Sequence, residues 1–133
     1  MDPADLSITE AGALLRSGKL SARELLDGVR TRVSMTEAHL HAYLTLDFEG
    51  AAVAAEAADD AFARGEDAGP LQGIPLALKD NMVTRGVETT AGSAILSGYR
   101  PPYDGGAVSR LRDAGAVIIG KTNLDEFAMG SST

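Results

Sequence analysis

Apolar residues recur at helical spacing along the first half of the chain and gather into short unbroken runs in the second, so the two halves predict different elements. Ser7 with Glu10, and Ser21 with Glu24, have the serine-to-glutamate spacing of a capping box. The first predicts a helix from Ile8 to Ser17, stopped at Gly18 by a left-handed turn. The second, stapled by Leu20 and Leu25, predicts a helix with Leu25, Leu26, Val29 and Val33 on one face. "AYLTL", 42–46, alternates as a strand does. "EGAAVAAEAADDAFAR", 49–64, is dense in alanine and predicts a helix that ends at Gly65 and packs closely on something flat.

After the polar connection at 65–70, "IPLAL" (74–78) and "AVIIG" (116–120) read as buried strands, the first tolerating Pro75 at its start. Between them, "GGAVSRLRDAG", 105–115, predicts a short helix with Val108 and Leu111 inward, Asp104 as its cap and Gly115 at its end. "TRGVETTAGS" and the rigid "YRPPYDGG" supply the loops. Strand, crossover helix, strand is the unit of a parallel sheet. Ligands of such sheets sit beyond the carboxyl ends of the strands, where Lys79 and Lys121 both fall. The expectation is one α/β domain, mainly helical over 1–65 and strand–helix–strand over 66–133.

Composition narrows the chemistry. The chain has 133 residues, net charge −7, 5% aromatics, no tryptophan and no cysteine. Its core is therefore aliphatic, and disulfide, thiolate and cysteine–zinc chemistry are excluded. An acidic surface disfavours direct contact with nucleic acid. The acidic start "MDPADLSITE" lacks a secretory pattern, and no run is long enough to span a bilayer, so a cytoplasmic location without membrane contact is expected.

Several candidate motifs have simpler structural readings. Gly115 to Thr122 matches the phosphate-loop pattern G-x-x-x-x-G-K-[ST], but its four variable residues are the predicted strand itself, whose amides belong to the sheet. Asp125 and Glu126 are adjacent and diverge on a helix; Asn123 with Glu126 instead resembles a helix start. His39 and His41 lie at a predicted helix end without a third ligand nearby. Lys79 has two readings. It is a solvated amine closing a strand, or a neutral amine acting as base, for which burial must lower its pKa from ~10.4 toward ~7–8 at about 3–5 kcal/mol.

"GPLQGIPLALKDNMVTRGVETTAGSAIL" followed by "PPYDGGAVSRLRDAGAVIIGKTNLDEFAMGSST" resembles the amidase signature family, and the likeness runs through the N-terminal helices as well. The resemblance implies an α/β fold: N-terminal helices, then the first strands of a mixed, largely parallel sheet, as the opening portion of a longer domain with an exposed sheet edge. It implies amide hydrolysis by a Ser–Ser–Lys triad. Lys79 would be the base, and Met129, Gly130 and Ser131 would line the substrate pocket. The two catalytic serines belong to a downstream Gly/Ser-rich segment; Ser131 and Ser132 are not these serines, so residues 1–133 alone are expected to be inactive. "DEFAMGSST" resembles the branch that works in tRNA-dependent amidotransferases. That branch implies glutamine as substrate, B-type and C-type partner subunits, ATP and magnesium on a partner, no cofactor in this chain, and only indirect contact with tRNA. The glycines of "YDGGAVSRL" depart from the family pattern and weaken the helix start there. Two other readings stand beside this one: another amide hydrolase of the family, and a non-catalytic assembly module.

Overall fold

A computed structural model describes residues 2–131. Helix α1 (Ile8–Arg16) begins where Ser7 Oγ accepts from the Glu10 amide and Glu10 accepts in return from the Ser7 amide. It ends at Ser17, and Gly18 turns the chain at φ +67°. Helix α2 (Ala22–Leu40) repeats the capping box with Ser21 and Glu24. A carboxylate from another element completes its N-terminus, since Asp59 accepts from the amides of Ala22 and Arg23 at 2.6 and 3.1 Å. This contact docks the start of α2 on the next helix, α3 (Phe48–Ala63).

The alanine stripe of α3 packs as its composition implies. Ala51, Ala55 and Ala58 are buried together with Val117 and Ile119 of the sheet and Leu25 and Leu26 of α2. Small side chains let the helix axis approach the strands. No helix among the described residues is long and apolar enough to cross a membrane.

Among the described residues the sheet has three strands: β1 (Tyr43–Leu46), β2 (Pro75–Lys79) and β3 (Val117–Thr122), in the order β1-β3-β2. β1 runs antiparallel to β3, and β2 runs parallel to it. The crossover from β2 to β3 carries α4 (Gly106–Asp113), which covers the second face with Val108 packed on Leu78 and Ile118. The α/β reading with a mixed sheet therefore holds.

Three expectations need correction. The run 74–78 is not a fully buried strand: Ile74 and Leu78 are buried, but Leu76 is half-buried and Ala77 exposed, because β2 is the edge strand. β3 does not stop at Gly120 but continues through Lys121 and Thr122. Asp104 does not cap α4; the cap is Gly105, without a side-chain bond. Asp104 instead accepts from the Arg85 amide at 2.8 Å and pairs with Arg112 at 3.0 Å, tying the crossover loop to the end of α4.

Register places the chemistry. Leu76 pairs with Ile118, but Ala77 pairs with Gly120, so β3 holds one extra residue at Ile119. Side chains alternate along a strand, and a one-residue bulge reverses which face each later residue takes. Ile118 and Lys121, three apart, thereby share the face of Leu78 and α4. Lys121 is drawn under the crossover loop instead of toward α3.

Candidate functional site

β2 ends at Lys79, whose carbonyl accepts from the Met82 amide at 2.9 Å and starts a turn. Burial alternates through that end: Leu78 is buried, Lys79 exposed and Asp80 buried. Lys79 borders a cavity of about 290 Å³, which is also lined by Asn123, Leu124, Asp125, Ala128, Gly130 and Ser131. Two of the three pocket residues expected from sequence, Gly130 and Ser131, thus stand with Lys79. Met129 is 78% exposed and lies outside the lining. Ser132 is outside the described residues.

The far wall of the cavity is a tight segment, not the helix start expected from Asn123 and Glu126. Asn123 Oδ1 accepts from the Leu124 amide next to it, and Glu126 accepts from the Ser93 hydroxyl at 2.6 Å. Among the described residues a single turn, Glu126–Ala128, follows. Phe127 and Ala128 have φ of +52° and +60°, the left-handed region that side chains disfavour. The Phe127 amide donates to Ala91 O at 2.8 Å, which holds this conformation. A Cβ at Gly130 would overlap the Asp125 side chain, which would have to shift to admit it.

Beneath Lys79 lies a charged cluster without solvent access. Lys121 and Asp80 are both 0% exposed, with Nζ and Oδ1 3.2 Å apart. The alignment is poor for a hydrogen bond, so the contact is an ion pair held by charge. Lys121 donates to Met82 O at 2.8 Å and Thr89 Oγ1 at 2.9 Å, and the remaining side of its ammonium faces Asp80. Asp80 Oδ2 accepts from the amide and hydroxyl of Thr90 at 3.0 and 2.5 Å. Burial pushes the Lys121 ammonium below its ordinary range, and the Asp80 carboxylate opposes that shift.

This geometry removes the phosphate-loop reading of 115–122. The backbone there is strand, and the lysine is fully committed inside the protein. His41 closes α2 in a left-handed conformation, and among the described residues no group of three or more acids or histidines is placed to hold a metal. Sequence reasoning missed Asp80, Thr89, Thr90 and Lys121 as a unit. The one available signal was the acid directly after Lys79.

The sequence profile of the amidase family matches residues 24–133. The chain belongs to the amidase family. Among its amidase relatives, the A-type subunit of glutamyl-tRNA(Gln) amidotransferase from Salinispora arenicola is 51% identical over 99% of this chain and 27% of the relative. The protein of the same name from Desulforapulum autotrophicum is 53% identical over 100% of this chain and 27% of the relative. Among solved structures, the peptide amidase from Stenotrophomonas maltophilia superposes with a TM-score of 0.87 at 38% identity, over 93% of this chain and 26% of that one. A fatty acid amide hydrolase gives 0.89 at 27% identity, over 98% and 24%. The chain spans 24–27% of the length of these amidases, and over that span it carries their fold.

Proposed function

We propose that this chain forms the N-terminal part of the amide-hydrolysing subunit of a tRNA-dependent amidotransferase, with Lys79 as general base. The observation that carries the reading is the placement of Lys79: at the carboxyl end of a parallel strand, on a cavity shared with Gly130 and Ser131. The identity of about half with A-type amidotransferase subunits supports glutamine as the substrate.

In this reading the Lys79 amine accepts a proton relayed through one serine from a second. The second serine bonds to the amide carbon. The amide nitrogen departs as ammonia after taking up the relayed proton, and water then cleaves the ester and restores the serine. Both serines come from outside residues 1–133, so a polypeptide of these residues alone hydrolyses no glutamine. Gly130 and Ser131 form part of the pocket wall. B-type and C-type subunits receive the ammonia, and ATP, magnesium and tRNA are handled by a partner, in the cytoplasm. The net charge of −7 suits a subunit that does not grip tRNA itself.

The test is Lys79→Ala in the complete subunit. Glutamine hydrolysis should fall by about 10²–10⁴, the range for loss of a general base, while the protein stays folded. Undiminished turnover overturns the reading. The likeness to the peptide amidase supports a second reading, hydrolysis of another small amide by the same machinery. Comparing turnover of glutamine with that of a peptide amide separates the two.

A further inference from the structure

The Asp80–Lys121 pair is an expensive structure for a protein to bury. Removing two charges from water costs several kcal/mol per ion, and apolar residues of similar size often serve stability better. What the pair does provide is geometry. Asp80 is the residue after Lys79, and Lys121 lies in β3 one position before Thr122, the register partner of Lys79. The Asp80 amide donates to Thr122 O at 3.0 Å, and its carbonyl accepts from the Ala91 amide at 3.0 Å. Its side chain takes both polar hydrogens of Thr90, and Lys121 gathers Met82 O and Thr89 Oγ1 on the other side. The turn after Lys79 and the strap 89–91 are thus bound to one buried ammonium. Alternation completes the arrangement: with Asp80 held inward, Lys79 has only the cavity side available.

We propose that the Asp80–Lys121 ion pair is the positioning device for Lys79, fixing the turn that aims its amine into the cavity beside Gly130 and Ser131. This inference rests on the reading of Lys79 as the base. Asp80 and Lys121 touch no reacting atom. They act through Lys79, and Thr90 acts through Asp80. Loosening the support displaces the amine from the serine it serves, which lowers the rate of the chemical step and leaves substrate binding largely intact.

The experiment uses the complete subunit with Lys79→Ala, the neutral double variant Asp80→Asn/Lys121→Met, and Thr90→Val. The double variant leaves no lone buried charge, and Thr90→Val removes the hydroxyl that donates to Asp80 and accepts from the Gly92 amide, without altering any charge. Expected are a kcat at least about tenfold lower in the double variant and a smaller loss in Thr90→Val, each with glutamine KM within about threefold of the parent. A general loss of folded protein would lower the active fraction and the melting temperature together, so kcat is taken per folded molecule. Where the double variant fails to fold, Thr90→Val decides. Parental kcat in the folded double variant, or in Thr90→Val if that alone folds, overturns the inference while Lys79→Ala stays inactive. Undiminished turnover in Lys79→Ala overturns the reading of the site and this inference with it.

Discussion

Asp80 and Lys121 face each other across 3.2 Å with neither side chain reaching solvent. Each charge is tolerable only because the other is present. Removing one partner, by Asp80→Asn or Lys121→Met, should cost about 3–5 kcal/mol in stability. The double neutral variant should lose less than the sum of the two singles, a coupling that denaturant unfolding of all four proteins measures.

Gly120 and Gly106 predict opposite outcomes for the same change. A Cβ on Gly120 would drive into the backbone carbonyl of Thr45 and crowd Leu46 and Tyr43 of β1. Gly120→Ala should destabilise by about 1–3 kcal/mol, because the obstacle is backbone and cannot rotate aside. Gly106 opens α4 with nothing within 4 Å of such a Cβ. Gly106→Ala should stabilise by about 0.4–1 kcal/mol through the unfolded chain. Melting temperatures should move in opposite directions.

The capping boxes predict an acid sensitivity. The backbone amide and hydroxyl of Ser21 hold the Glu24 carboxyl below its ordinary value of 4.5. A group whose pKa is lower when folded contributes stability that is fully present above 4.5 and is lost as pH falls through the lowered value. Glu10, held by Ser7, behaves likewise. Glu24→Gln should flatten the decline of stability between neutral and acid pH, and stability indistinguishable from the parent at every pH would contradict the cap.

Ser131 and Met129 should separate in function. Ser131 borders the cavity beside Lys79, and Met129 is exposed outside its lining. In the complete subunit, Ser131→Ala should raise KM by about 3- to 10-fold, the worth of one hydrogen bond to substrate, while Met129→Ala leaves kcat and KM unchanged. Steady-state kinetics with glutamine checks both.

Much of this molecule is legible in its sequence. Ser7, Ser21, Gly18 and Gly65 mark helix ends through interactions that span only a few residues, so spacing suffices to find them. The alanines at 51, 55 and 58 announce a helix face made for close approach, and "AYLTL" announces β1. Asp104 and Asn123 mislead because an acid or amide before a helical pattern looks like a cap. The partners they take, Arg85 with Arg112 and the neighbouring Leu124 amide, leave no trace in spacing.

Local order along the chain, from the caps to the two apolar strands and the lysine that closes the first, was settled by the sequence itself, since propensity and periodicity act between near neighbours. Only the tertiary structure decided that β2 lies at an edge, that a bulge at Ile119 turns Lys121 under the crossover, and that this lysine meets Asp80. The physical reason is the same in each case: strand pairing and the burial of charge join residues far apart in the chain, and their energy depends on which groups arrive at one place.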